Sequence, residues 1–330
     1  MSGLSDDTVR HLKNVADLPD LGGTRYDVLE RIGSGGMGTV YRARDHDLGR
    51  DVALKVLRET PAADTLAARM LQEARILARL EHPGIVPVHD VGRLSDGRVW
   101  YAMKLVRGDR LDRHAARTAA ALPERLRLFL RVCEAVAFAH AHGVVHRDLK
   151  PANIMIGPFG EVLVLDWGVA KVMSSGDVPD DDADTVVAGP VSAETTAAAD
   201  GETLPGTVLG TPGYMAPEQA SGRPDLVGPR SDVYSLGGIL QDLLAGSGPA
   251  PRPLRAVRDR ARAEDPAARY AEVEELADDV RRFLDGSAVN AYREGAAERA
   301  ARFVRKYRTP ILVIVGYVVI RTLVFLWAGT

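Results

Sequence analysis

Ten consecutive residues of this 330-residue chain carry a dense set of reactive groups: His146-Arg147-Asp148-Leu149-Lys150-Pro151-Ala152-Asn153-Ile154-Met155. A carboxylate at Asp148 can orient and deprotonate a hydroxyl. An ammonium at Lys150 can neutralise a phosphate between the two, and the amide oxygen of Asn153 can be offered to Mg²⁺. Downstream, Glu161-Val162-Leu163-Val164-Leu165-Asp166-Trp167-Gly168 reads as an apolar strand ending in an acid, an aromatic and a glycine. Upstream, Lys55 lies in Asp51-Val52-Ala53-Leu54-Lys55-Val56-Leu57. A lysine among such neighbours is either a snorkelling surface residue or a phosphate ligand.

These groups need a scaffold to bring them together. Tyr26 to Ile32 reads as a strand, followed by Gly33-Ser34-Gly35-Gly36-Met37-Gly38 and the alternating, β-branched Thr39-Val40-Tyr41-Arg42-Ala43. A dinucleotide fold requires a helix directly after its glycines, so this glycine run is predicted to close a hairpin whose bare N–H groups can lie over phosphates. Met37 and Thr39 are expected on the surface of that flap. A helix over 65–79 supplies Glu73, set between Leu71 and Leu77, as a carboxylate to hold Lys55; Glu81 competes for the role. Residues 85–93 and 99–105 read as two further strands. Residues 123–142 form an amphipathic helix ending at Gly143, with Leu126, Phe129, Leu130, Cys133 and Val136 on its apolar face. His140, His142 and His146 are expected to be structural, since no second ligand pair stands near them.

His146 to Asn153 resembles the catalytic loop of the protein kinases, and Lys150 is what the serine/threonine branch carries at its position. The other motifs follow in the same order. The glycine hairpin is similar to the kinase phosphate flap. Val52-Ala53-Leu54-Lys55 and Glu73 resemble its Lys–Glu pair, and Met103-Lys104-Leu105-Val106 resembles the hinge between lobes. Asp166-Trp167-Gly168 resembles DFG with tryptophan for phenylalanine, and Gly210 to Glu218 resembles the end of the activation loop. The resemblance implies an α+β, bilobal fold with a small β-rich lobe and a larger helical lobe, and transfer of the ATP γ-phosphoryl group to Ser or Thr hydroxyls of proteins. It implies Asp148, Lys150 and Asn153 as catalytic groups and Mg²⁺ on Asn153 and Asp166. Phosphates would meet Gly33, Ser34, Gly35, Gly36, Met37, Gly38 and Lys55, with Glu73 behind. Ile32, Val40, Ala53, Met103 and Met155 would wall the adenine, bonded by backbone of Lys104 and Val106. Lys104 departs from the acid common there. Gly168 would permit the turn after Asp166, and Trp167 would pack beneath the helix carrying Glu73. Asp232, in a helix capped by Ser231, would hold the catalytic-loop backbone, Arg269 would pair with buried Glu218, and Thr211 would bond Asp148 and Lys150.

The formal net charge of −3 and pI of about 6.3 argue against a nucleic-acid surface. Cys133 is the only cysteine, so no internal disulfide forms, and it is expected in the core. The chain divides into a polar leader (1–23), a kinase-like domain (24–286, lobes 24–105 and 106–286), a basic connector (287–309) and an apolar segment (310–329). Within the domain, 172–209 is acidic, lacks a basic residue after Lys171 and is expected to be a long disordered activation loop. A phosphothreonine at Thr203 or Thr207 would meet Arg147, although a carboxylate already present would serve equally. The 243–264 stretch is short for the helix with which most kinases dock substrates. As a helix, 310–329 would span about 30 Å. Arg321 costs about 3 kcal/mol there, and the twelve Ile, Leu, Val and Phe residues return roughly 4 to 7 kcal/mol. A single membrane anchor with the catalytic part in the cytoplasm is therefore expected, against a tail that packs on the domain or self-associates; a homodimer is compatible with the latter. Two rival functions stand beside the kinase reading: a nucleotide-binding scaffold without catalysis, and a small-molecule phosphotransferase.

Overall fold

The computed structural model describes residues 18–34, 38–58, 63–118, 120–167, 171–172, 213–221, 226–245 and 248–328. Gly35, Gly36, Met37, Gly168, Thr203, Thr207, Thr211 and nearly all of 172–209 lie outside these residues.

The small lobe is a five-stranded antiparallel sheet in the order β1-β2-β3-β5-β4, built from Tyr26–Ser34, Gly38–Asp45, Arg50–Leu57, Val88–Arg93 (β4) and Val99–Lys104 (β5). The turn chemistry is local, but the register is set by burial: β3 and β5 are almost wholly buried, and a slip of one residue would turn every side chain to the wrong face. The register puts Lys55 opposite both Val40 and Tyr101, and Ala53 opposite Met103. Directly opposed residues share a face, so this surface presents a lysine flanked by apolar walls. Helix α1, Ala63–Arg79, covers it with Ala67, Met70 and Ala74, while Ile76 and Leu77 join the large-lobe core. Thr39 is buried, which corrects its expected place on the flap surface; it pairs with Val56 inside the sheet.

The large lobe is helical. Leu122–Ala141 (α3, following α2 at Leu111–Thr118) and Pro229–Ala245 (α5, after the short α4 at Pro217–Ala220) run through its centre. Leu126, Phe129, Val136, Leu236, Ile239 and Leu240 are fully buried between them. Gly143 ends α3 at φ 73° and donates to the His140 carbonyl, a left-handed position that suits glycine. Helices Arg252–Ala261 (α6) and Val273–Leu284 (α7) close the lobe. Short strands Asp109–Arg110 (β6), Ile154–Ile156 (β8) and Val162–Val164 (β9) form one sheet, and Val144–Val145 (β7) pairs with Lys171–Val172 (β10). The α+β bilobal architecture is the expected one.

Three boundaries differ from expectation. Leu21 and Leu18 pack into the small-lobe core, so the leader's end belongs to the lobe. At the other end Val289 is part of the large-lobe core, and buried Asp279 accepts from the N–H groups of Asn290 and Ala291, carrying the lobe past Gly286. Helix α5 begins at Pro229, so Ser231 lies inside it and is not its cap.

After Ala296–Lys306 (α8), residues Arg308–Ala328 form a helix, α9. Among the described residues no helix is long and apolar enough to cross a membrane. Residues 310–328 of the expected span are helical.

Candidate active site

The catalytic-loop candidates converge. Lys150 Nζ donates to Asp148 Oδ2 at 2.7 Å, and Asn153 Nδ2 donates to the Asp148 carbonyl at 2.9 Å and to Oδ2 at 3.2 Å. Both bonds from Asn153 use its nitrogen, so the amide oxygen is left to face a cation. The Asp148 carboxylate is a quarter exposed, open enough to meet an incoming hydroxyl.

Backbone anchors hold this loop. Asp232, fully buried on α5, accepts from the N–H groups of His146 and Arg147 at 2.8 Å each and contacts His140 Nε2 at 2.7 Å. Burial would raise the Asp232 carboxyl, but His140 and these donors outweigh it and hold its pKa below the ordinary value. Gln219 on α4 donates to the Arg147 carbonyl. Arg147 needs such clamps because its φ is 72°, and Asp166 has φ 61°. For non-glycine residues this region costs on the order of 1–2 kcal/mol.

Asp166 is tied to the same loop through its neighbour. Leu165 donates its N–H to the Asn153 carbonyl at 2.8 Å and offers its own carbonyl to His146 Nε2 at 3.0 Å. Since Asp148 N–H donates to His146 Nδ1, the ring's Nε2 is its donor. Trp167 is buried with its ring 4.6 Å from that of His146 and its Nε1 donating to the Val164 carbonyl. It shares a core cluster with Ile76, Leu77 and Leu80 near α1, so the larger aromatic is accommodated where the resemblance put it.

Lys55 joins the two lobes. Its Nζ donates to Glu73 Oε1 and Oε2 at 2.8 and 2.9 Å and lies 3.5 Å from Asp166 Oδ1. Burial alone would lower this ammonium's pKa, but Tyr101, Glu73 and Asp166 outweigh it and hold it above the ordinary value. Glu73 is buried and Glu81 exposed, which decides between the two acids. Asp166 has its side chain more than half exposed. Its carboxylate and the amide oxygen of Asn153 are hard oxygen donors of the kind Mg²⁺ takes alongside phosphate oxygens.

Around the cleft, Ala53 is buried, Val40, Met103, Val106 and Met155 are partly buried, and Ile32 is 46% exposed. The Lys104 N–H is occupied by the Pro87 carbonyl, so that position can offer adenine only its own carbonyl. Ser34 is exposed and Gly38 buried. Arg147 Nε is buried and has no hydrogen-bond partner among the described residues, and burial lowers the guanidinium's pKa. Glu218 and Arg269 pair through two 2.8 Å bonds.

One residue escaped the sequence reading. Tyr101, buried on β5, donates its hydroxyl to Glu73 Oε1 at 2.8 Å, and Lys55 Nζ sits 5.6 Å from its ring centroid. Its sequence context, an aromatic in an apolar strand, carries no such signal; only the cross-strand register with Lys55 reveals it. Tyr101→Phe removes one of the bonds that orient Glu73 and is expected to raise the KM for ATP about three- to tenfold. Steady-state kinetics with ATP varied checks this, and an unchanged KM refutes a positioning role.

Comparison with known proteins agrees with this geometry. A family model described as "Protein kinase domain" matches residues 26–289. The serine/threonine-protein kinase PknD of Chlamydia felis is 36% identical over 303 residues, covering 80% of this chain and 31% of that protein. PknD of Chlamydia muridarum is 33% identical over 330 residues, covering 88% and 34%. The chain therefore spans about a third of the length of these relatives. The crystal structure of the Mycobacterium tuberculosis PknI kinase domain superposes with a TM-score of 0.54 at 29% identity, covering 78% of this chain and 96% of that one.

Proposed function

Since the chain belongs to the protein kinase domain family, we propose that it transfers the γ-phosphoryl group of ATP to Ser or Thr hydroxyls of proteins, as bacterial-type serine/threonine kinases do. The observation that carries this is the single constellation in which Lys150 and Asn153 hold Asp148 while Lys55 bridges Glu73 and Asp166. Asp148 orients the acceptor hydroxyl and takes its proton as that oxygen bonds to phosphorus. Lys150 then loses its carboxylate partner to the proton and turns its charge to the transferring group. Lys55, fixed by Glu73, supports the phosphates of the donor, and ADP leaves as the other product. Mg²⁺ held by Asn153 and Asp166 would neutralise phosphate charge. Ile32, Val40, Ala53, Met103 and Met155 wall the base. Thr203 and Thr207 are the sites where the chain would modify itself, with Arg147 as the receiving cation.

Mass-spectrometric mapping after incubation with ATP and Mg²⁺, alone and with a protein acceptor, tests this. Phosphoserine or phosphothreonine is expected. Bound nucleotide without any phosphorylated residue would leave only the scaffold reading, and label confined to added metabolites would leave the small-molecule reading.

The proposal also includes attachment to a membrane through residues 310–329, with the lobes on the cytoplasmic side. Supporting it, Leu312, Val313, Ile314, Tyr317 and Ile320 on α9 are each more than 60% exposed, and α8 before it carries Arg299, Arg302, Arg305 and Lys306. In vesicle flotation the full chain is expected to rise with lipid and a chain lacking 308–330 to stay below. Equal behaviour of the two rejects attachment.

A further inference from the structure

A cavity of about 510 Å³ opens in the large lobe between the end of α5 and the side of α6, lined by Gln241, Leu244, Ala250, Arg258, Asp259 and Arg262 among others, so that its two arginines outnumber its one acid. Arg262 projects into this space. Its guanidinium lies 4.9 Å from the Tyr234 ring and makes only long bonds, 3.3 Å to the Tyr234 hydroxyl and 3.4 Å to Gln241 Oε1. Both acceptors are neutral, and no carboxylate pairs with Arg262 among the described residues. A half-buried guanidinium bonded only to neutral oxygens still has strong donor capacity for an anion.

Two further features make this more than one cation. Helix α6 holds four arginines, Arg252, Arg255, Arg258 and Arg260, against one acid, Asp259. Asp259 takes Arg258 at 2.8 Å, Arg252 lies 3.5 Å from Glu298, and Arg260 covers the Tyr270 ring. Exposed Arg255 has no acidic partner among the described residues and adds to the charge of Arg262. Arg262, at the cavity wall, also lies near Gly213 and Tyr214, in the segment leading to Gln219. Gly237 and Gly238 on α5 let that segment and Arg262 come close: a Cβ on Gly238 would fall 2.9 Å from Tyr214 Cδ1, 3.2 Å from the Gly213 carbonyl and 3.3 Å from Arg262 Nη1. Tyr214 is itself tied to Asp242 on α5, and three residues past Ala216, Gln219 holds Arg147.

We infer that this cavity is a docking site for a carboxylate-rich stretch of the protein substrate, with Arg262 as its main anchor and α6 supplying the surrounding positive field. The apolar floor of Leu244 and Ala250 would take one small side chain of the same stretch. That the docked protein is a substrate rests on the phosphoryl-transfer reading; the site itself does not.

The test uses two peptides that share one acceptor threonine and differ only in a flanking block of glutamates or of glutamines, with the full chain and its Arg262→Gln and Arg255→Gln variants. The glutamate peptide is expected to show a KM about tenfold lower than the glutamine peptide, a gap that shrinks in either variant and at high salt, while kcat and the glutamine peptide's KM hold. Equal KM values for the two peptides in the unaltered chain overturn the proposal, as does a gap that survives in both variants. A gap that appears only when the acids of 177–202 are replaced assigns the site to the chain's own acidic segment and also overturns it. If neither peptide is phosphorylated, phosphoryl transfer has failed, and fluorescence anisotropy of the labelled glutamate peptide tests the site alone: weaker binding to the Arg262→Gln chain supports docking, and equal binding refutes it. The Arg255→Gln variant, altered at an exposed position, keeps the test valid should Arg262→Gln misfold.

Discussion

Asp148→Asn is expected to lower the rate of phosphoryl transfer by about a hundred- to ten-thousand-fold, the usual share of a positioned general base, while the fold and nucleotide binding persist. The amide can still accept from Lys150 and Asn153, which now hold Asp148 at 2.7 and 3.2 Å, so the loop keeps its shape. What disappears is the site for the hydroxyl proton. Lys150 sharpens the effect, because its charge is balanced by the carboxylate in the present structure and would face a neutral amide in the variant. Radiolabelled ATP with the two proteins side by side, together with their melting temperatures, checks this. Equal labelling of both would remove Asp148 from the mechanism, and loss of melting cooperativity in the variant would make the residue structural.

Arg269→Met is expected to have the largest effect on stability. Its guanidinium is fully buried, meets both oxygens of Glu218 and also donates to the carbonyls of Ala263, Arg230 and Glu264. Removing it strands a buried carboxylate, held otherwise by Ser231, and leaves those carbonyls short of a donor. Breaking one side of such a pair costs about 3–5 kcal/mol, a large part of the about 5–15 kcal/mol that holds a domain folded, and should lower the melting temperature by roughly 10 °C. A shift under about 2 °C would contradict the role assigned to the pair. Changing Glu218 to Leu in the same protein should recover part of the loss, since no lone charge then remains buried. Acid should act on the same contact. Burial opposes ionisation of Glu218, but Arg269 and Ser231 win and hold its carboxyl below the ordinary 4.5. The stabilisation is therefore complete above that value and is lost as pH falls through the lower folded value. Asp232, also held low, titrates in the same direction. A melting temperature that falls below pH 4.5 in the unaltered chain, with a shallower fall in Arg269→Met, is the expected profile.

Local motifs in the sequence were sufficient for the order of the chemistry. A catalytic loop places Asp148, Lys150 and Asn153 within six positions, so the chain itself keeps them near one another, while Asp232 and Gln219 fix the loop's shape. The choice of hairpin over helix after the glycines rested on β-branched alternation from Thr39 onward, and a two-residue period belongs to the backbone itself. Glu73 could be preferred over Glu81 because a helix face is likewise periodic.

What depends on rows across the sheet, or on two distant segments meeting, had no local trace. Tyr101 reaches Glu73 only because β5 lies beside β3 in one register. Thr39 is buried because β2 pairs with β3, and Ser231 lies inside a helix with its hydroxyl donating to Glu218. Leu21 and Val289 joined their lobes because cores collect apolar side chains from wherever the chain passes. Arg262 comes close to Tyr214 because Gly237 and Gly238 on α5 leave room for both. The sequence alone determined which groups this protein brings to a phosphate, since type and spacing are properties of the chain. Only the tertiary structure decided which neighbours orient those groups and which charges go unpaired, because both depend on distances between residues far apart in order.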